Sequence, residues 1–344
     1  MQNRRPGSLH MRGLLSIGKR LLAASLLCCG LAQAQTPAST CLPEPQPPTE
    51  AELVQLHQQA RDRGLLWRLE HEGRTSWLYG TIHVNQRAWF LPGPGIAQAL
   101  QGTDLLALEL DLMDPAVQQE LARGMRAPAN AQPLPAALRQ RLDRLLQAAC
   151  APAPVATLRP EAQIITLLAL VGRSQGLEPQ LGVDLALASI ALGLGKSIIG
   201  LESPDTQLRE LVSDDPAEVQ QRVATGLEHL ERGDAAQQLM RLAQAWADGD
   251  VQALENYPQW CDCLNTEAER AEYARVVDGR NPGMAAGIAQ QLRQGHSLFV
   301  AVGALHLVGP QGLPALLAAQ GFKVQPVVLG AVPAAAGTDK TTTP

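Results

Sequence analysis

Two four-residue stretches share one spacing of glycine and histidine. Gly80-Thr81-Ile82-His83 follows the apolar and aromatic run 75–79, and Gly303-Ala304-Leu305-His306 follows the very apolar run 297–302. In each, a glycine closing a strand is expected to let the chain turn sharply, so that a histidine three residues on projects from the end of the sheet. Imidazole titrates near neutral pH and is a common metal ligand, so the pair suggests a reactive site. Two carboxylates occupy comparable places. Alternation along 105–110 puts Leu106, Leu108 and Leu110 on one face and Ala107, Glu109 and Asp111 on the other, while Glu202 follows the run 197–201. A carboxylate in such apolar company needs a cation, a metal or a hydrogen-bond donor. Asp111 and Asp184 read instead as ion-pair or helix-capping residues.

His83, Glu109, Glu202 and His306 thus follow four predicted strands, and sites in sheets with parallel strands gather at the strands' carboxyl ends. Two imidazoles with one or two carboxylates suit a first-row divalent ion, with positions left for water and a substrate carbonyl. Such an ion acidifies its water and polarises the carbonyl, and a spare carboxylate takes the proton: this is hydrolase chemistry. A metal-free His–Glu acid/base pair would use the same residues. Arg280-Asn281 completes the set. Arginine can pair with a carboxylate or stabilise an oxyanion, and asparagine adds a neutral donor.

The composition narrows the partners. The 344 residues carry 28 Lys and Arg against 33 Asp and Glu, a net charge of -5, with no long basic run outside the N-terminus, which argues against nucleic acid. Aromatic residues make up 3%, too few for a base- or sugar-stacking platform. At the N-terminus, Arg4, Arg5, Arg12, Lys19 and Arg20 precede the apolar run 21–31 and the small-x-small site Ala32-Gln33-Ala34, the pattern of a secretory signal peptide. That run is about half the length of a membrane-spanning helix. The expectation is a periplasmic or secreted protein with no stable transmembrane segment after cleavage. Cys41, Cys150, Cys261 and Cys263 then remain in an oxidising compartment. Cys261 and Cys263 flank a single residue, so each is expected to pair with Cys41 or Cys150 rather than close a very tight ring.

The elements that must position these residues are legible as patterns. Strands are predicted over 66–71, 75–79, 105–110, 197–201, 297–302 and 324–329, the first two joined at Glu72-Gly73-Arg74. Leu and Ala recur at helical spacing over 116–125, 135–149, 161–173, 183–192 and 218–230. A few separated strands with helix-rich insertions imply an α/β or α+β domain, its small mixed sheet covered by a helical cap built from 113–181 and 204–292. The organisation is a signal peptide over 1–34, a Pro-rich lead-in over 35–50, one domain over 51–330 and a disordered tail over 331–344.

Trp67-Arg68-Leu69-Glu70, Trp77-Leu78-Tyr79-Gly80-Thr81-Ile82-His83, Leu108-Glu109-Leu110-Asp111, Gly200-Leu201-Glu202, Arg280-Asn281 and Val302-Gly303-Ala304-Leu305-His306-Leu307-Val308-Gly309 resemble, in that order, the TraB/GumN family, whose relatives include the Tiki proteases of animals. The resemblance runs from about Trp67 to Val328. It implies a divalent-metal-dependent, peptidase-like site acting on a peptide or protein, with manganese or cobalt favoured and zinc the other candidate, and a distant similarity to erythromycin-esterase-like folds. His83 and His306 correspond to the motif histidines, with Glu109, Glu202 and Arg280 as partners. Two other roles would use the same crevice: sequestering an extracellular peptide without cleaving it, or serving as an envelope or polysaccharide-export factor.

Overall fold

The computed structural model describes residues 41–329. The segment read as a signal peptide, the start of the expected lead-in and the expected C-terminal tail lie outside the described residues. Six strands form one mixed sheet: β1 (Leu66–His71), β2 (Arg74–Thr81), β3 (Leu105–Leu108), β4 (Ser197–Gly200), β5 (Leu298–Gly303) and β6 (Lys323–Val327). All six strand predictions are matched, with no end shifted by more than two residues. The spatial order is β4-β3-β5-β2-β1-β6. The first four in that order are parallel, and β1 and β6 are added antiparallel.

β5 shows why the order is what it is. Leu298, Phe299, Val300, Ala301 and Val302 are all buried, an unbroken apolar run suited to a strand covered on both faces. It sits between β2 and β3, so the last strand of the parallel set becomes its interior. The helix Asn281–Arg293 packs on it through a buried face of Met284, Ala285, Ile288, Ala289 and Leu292. The helix Val183–Gly193 covers β3 and β4. At the sheet's edge β6 tolerates Pro326, which has no N–H to donate. Between β1 and β2, Glu72 and Gly73 both take positive φ (46° and 76°), the two-residue turn whose twist matches paired strands.

The cap is smaller than expected, since the helix Asn281–Arg293 packs on β5 and Ala243 and Trp246 of the helix Ala235–Ala247 join the sheet core. The helices Ala136–Ala148, Pro160–Leu170 and Pro216–Glu231 enclose a second, smaller apolar cluster of Leu142, Ile164, Leu167, Val223 and Leu227. No helix among the described residues is long and apolar enough to cross a membrane. The described part of the lead-in is tied down rather than free: Arg173 donates to the Pro43 carbonyl (2.6 Å) and Arg87 to that of Gln46 (2.8 Å).

The disulfides depart from expectation. Cys41 pairs with Cys150 and Cys261 with Cys263. Asp262, between the latter two, adopts φ 50°, and this left-handed residue folds the backbone so that the flanking Cα atoms lie 5.1 Å apart, within disulfide reach. Sequence separation says nothing about such a local turn.

Because Phe299 is fully buried in the central strand, Phe299→Ala is expected to lower the unfolding free energy by about 3–5 kcal/mol. Urea denaturation followed by circular dichroism would measure it, and a loss under about 1 kcal/mol would contradict this account of the core.

Candidate functional site

The four parallel strands end along one edge, in the order β4, β3, β5, β2, and each delivers one chemical group just beyond its last residue. Glu202 follows β4, Glu109 follows β3, His306 follows β5 and His83 follows β2. Neighbouring strands lie about 4.8 Å apart, so the row spans roughly 14 Å from Glu202 to His83. Glu109 is therefore central, and its main chain is fixed by the Glu202 N–H, which donates to the Glu109 carbonyl at 3.0 Å.

The glycines of the paired motifs serve a different purpose from the one expected. Neither Gly80 nor Gly303 has positive φ; both belong to their strands. They are required by close approach. A Cβ on Gly80 would lie 3.1 Å from the Ala304 main chain, so the two motifs pack directly on each other, and one on Gly303 would press on the Glu109 carboxylate at 3.3 Å.

Arg280 links three of the four groups. Its Nε donates to both Glu202 oxygens (3.0 and 3.2 Å), and its Nη2 donates to Glu202 Oε2 and, at 2.5 Å, to Glu109 Oε2. Nη1 donates to the Val276 carbonyl (3.3 Å) and faces His306 Nε2 at 3.5 Å. The Gln207 amide donates to both carboxylates, and the Gly303 N–H donates to Glu109 Oε1 at 2.8 Å. Burial alone would raise the Glu109 carboxyl, but His306, His83, Arg280 and the Gly303 N–H outweigh it and hold it down at about 2. Burial likewise opposes the Arg280 charge, and its two carboxylate partners more than offset that, pushing its pKa up. Arg280 follows a π-helical turn, Ala274–Asp278, a backbone irregularity that often marks functional sites.

Asn281 acts as an acceptor toward the histidine rather than the donor expected. Its amide nitrogen donates to the Gln311 carbonyl (2.8 Å), which can only accept, so its oxygen is left to face His306 Nδ1 at 2.7 Å. His306 therefore carries a proton on Nδ1, with Nε2 turned toward Glu109 Oε1 at 3.8 Å. Burial pushes the His306 pKa down; Glu109 pulls it up and Arg280 lowers it further.

His83 belongs to a separate pair. Its Nδ1 lies 2.9 Å from Asp184 Oδ2, and Thr81 Oγ1 donates to the other Asp184 oxygen at 2.5 Å. The His83 loop is pinned by Val183 N–H donating to the Ile82 carbonyl and by reciprocal bonds between Asn85 and Glu178. Asp184 is the ion-pair residue expected, but its partner is a candidate catalytic histidine, so it belongs to the site. The Asp184 charge pushes the His83 pKa up to about 9 against the cost of desolvation, with their hydrogen bond adding to the rise. Solvent reaches the imidazole, 72% of whose side-chain surface is exposed, and screens part of that rise. Gln207 was not singled out in the sequence, and Thr81 was named only as part of its motif. Gln207 lies on the helix Pro204–Leu211, which opens just after Glu202, and an acidic residue in the first turn of a helix, as Asp184 is, was the one visible signal for that residue.

His83, Asp184, Glu109, Gln207 and Arg280 open onto a cavity of about 490 Å³, whose other walls include Leu110, Ile165, Leu185, Leu211 and Val276. Ile165, Leu211 and Val276 come from the cap. Glu202, His306 and Asn281 are buried side chains that do not line it. Gly172-Arg173-Ser174-Gln175-Gly176 has the spacing of a hydrolase nucleophile turn, but Ser174 sits in the 3-10 turn Val171–Gln175, its hydroxyl on the Val171 carbonyl, not between a strand and a helix.

As arranged, the residues do not fit a divalent ion. Both Glu202 oxygens and Glu109 Oε2 are taken by Arg280, and Glu109 Oε1 by Gly303. No group of three or more His, Cys, Asp or Glu side chains among the described residues converges as a metal site would require.

The His83–Asp184 pairing predicts a pH signature. With the folded pKa raised above the unfolded value near 6.5, the pair's contribution to stability is complete below about pH 6.5 and is lost as pH rises through about 9. Histidine-selective NMR should show His83 titrating well above the ordinary range in the wild type and near it in Asp184→Asn. Equal midpoints in the two proteins would refute the pairing.

No curated protein and no solved structure matched the chain. One family model did, and it covers residues 65–326, a span that contains all six strands except the last residue of β6, together with both Gly-x-x-His motifs, Glu109, Glu202 and Arg280. On that match the chain belongs to the TraB/PrgY/gumN family.

Proposed function

We propose that the chain is an exported hydrolase that cleaves a peptide bond of a peptide or protein substrate in the cavity beneath the cap. The observation that carries this reading is the His83 imidazole, held by Asp184 at Nδ1 and open to the cavity beside the Arg280 charge. Both disulfides suit an oxidising compartment, as the signal-like N-terminus does.

The chemistry follows from those positions. Neutral His83 accepts a proton from water at Nε2 as the water oxygen bonds to the substrate carbonyl carbon. Asp184 stabilises the imidazolium that forms, as the carboxylate of a catalytic triad does. Glu109 and Glu202 hold Arg280 in a fixed orientation, and the Nη1 N–H that faces His306 Nε2 at 3.5 Å, the longest of its contacts, turns to the carbonyl oxygen to stabilise the developing oxyanion. The C–N bond then breaks as His83 returns its proton to the leaving nitrogen. Apolar walls at Leu110, Ile165, Leu185 and Leu211 accept aliphatic substrate groups and limit water.

Turnover of a quenched-fluorescence peptide library by the periplasmically expressed mature chain tests the proposal. His83→Ala is expected to lower kcat by about 10²–10⁴ with folding intact. Activity in the wild type should rise with pH toward about 9 as His83 loses its proton, and in Asp184→Asn that rise should move to lower pH. Peptide binding without products would instead support sequestration.

A further inference from the structure

We infer that the cap carries a second substrate pocket beside the reaction cavity, one that receives a lysine or arginine side chain two residues from an aliphatic one in an extended peptide, an inference that rests on the peptidase reading of the site. A cavity of about 370 Å³ adjoins the one that His83 lines, and Ile165, Glu210, Leu211 and Val276 are walls of both. The helix Pro160–Leu170 runs past the two. Its Ile164 and Leu167 are buried in the small apolar cluster, whereas Ile165 and Leu168 are 38% and 39% exposed and line the second cavity together with Glu161. Positions 161, 165 and 168 share one helix face, and four residues of helix advance about 6 Å. Side chains two residues apart in an extended peptide lie on one side, about 7 Å from each other. A peptide laid along this helix can therefore set one side chain at Ile165 and another at Glu161.

Charge decides what the pocket at Glu161 accepts. Glu161 is 4% exposed; its Oε1 accepts from the Ser213 N–H at 2.9 Å, and its Oε2 has no hydrogen-bond partner among the described residues. A buried carboxylate oxygen without a donor is costly, and an ammonium or guanidinium supplies one. Arg139, which lines a third cavity with Glu161, bonds instead to Asp143 and Gln163. The remaining cations are committed elsewhere: Arg275 is shared between Glu210 and Glu272, His229 pairs with Glu269 at 3.1 Å, and Arg222 reaches the Glu210 carbonyl and Glu218. Carboxylates therefore outnumber cations around this pocket. Tyr257 and Tyr273, stacked with ring centroids 6.1 Å apart, also line it, and aromatic faces attract cations.

Peptide binding tests the pocket separately from turnover. Fluorescein-labelled, end-capped glycine peptides carrying Leu-Gly-Lys or Lys-Gly-Leu at the centre, so that both chain directions are offered, are titrated by fluorescence anisotropy against the mature His83→Ala chain, in which cleavage does not interfere. Matched peptides replace Lys with Gln or Glu, or Leu with Ala. In the better direction Lys is expected to bind roughly tenfold tighter than Gln or more, with Glu weaker still. Adding Glu161→Gln, which keeps the side chain's shape and its bond to Ser213, should bring the Lys and Gln peptides within about twofold of each other. Ile165→Ala should instead reduce the preference for Leu over Ala and leave that for Lys. Thermal melting checks that each variant folds, and the Lys preference itself is read with Glu161 in place. Equal affinity for the Lys and Gln peptides would overturn the inference, as would no binding of any peptide, or a Lys preference that survives Glu161→Gln in a folded chain. A Lys preference erased by Glu161→Gln, beside a wild type that turns over none of the peptides, would keep the pocket and remove the hydrolase reading; turnover by the wild type without a Lys preference would do the reverse.

Discussion

A guanidinium held between two buried carboxylates organises the functional end of this protein. Glu109 and Glu202 come from adjacent parallel strands, β3 and β4, whose pairing brings their ends together whatever charge those ends carry. With like charges so close and so poorly solvated, one or both would protonate, or the strand ends would splay, unless a cation were supplied. Arg280 supplies it from a distant part of the chain. Its placement in turn requires the helix Asn281–Arg293 to be seated on β5, so packing of the core and electrostatics of the site depend on one another.

That dependence explains the division of labour among the layers. The sheet interior, with β5 at its centre, is built from aliphatic side chains that leave little freedom in strand order or height. The chemical groups sit just past the strand ends, where the chain is released from the ladder and side chains can face a cavity. The cap covers them with its own small apolar cluster, so the lid over the site has packing separate from the sheet core. Gln207 from the helix Pro204–Leu211 and the π-helical turn before Arg280 are the points at which cap and site touch chemically.

The two histidines, alike in local sequence, have different electrostatic surroundings. His306 is buried beside a guanidinium and held by a neutral amide, which favours its uncharged form. His83 is open to the cavity and held by a carboxylate, which favours its charged form. Repetition of a Gly-x-x-His motif therefore does not mean repetition of a role. Nor do the glycines act as hinges: each keeps space for a neighbour, Ala304 in one motif and the Glu109 carboxylate in the other.

Much of the framework was determined locally. Strand alternation and helical spacing are properties of short segments, so the six strands, the helical insertions and the position of Glu109, Glu202, His83 and His306 just past four strand ends were legible from the residue order. The family resemblance was legible for the same reason, since its motifs are those strand ends. Strand order was not, because it depends on which apolar surfaces cover which, and it is the order that puts Glu109 between Glu202 and His306 and leaves His83 at the far end of the row. Only the tertiary structure could decide that Arg280 occupies the space between the carboxylates, that Asp184 serves His83 across about a hundred residues of chain, and that Asp262 turns two neighbouring cysteines toward each other. Each of those outcomes is a contact set by how packed elements lie in space, and spacing along the chain carries no information about it.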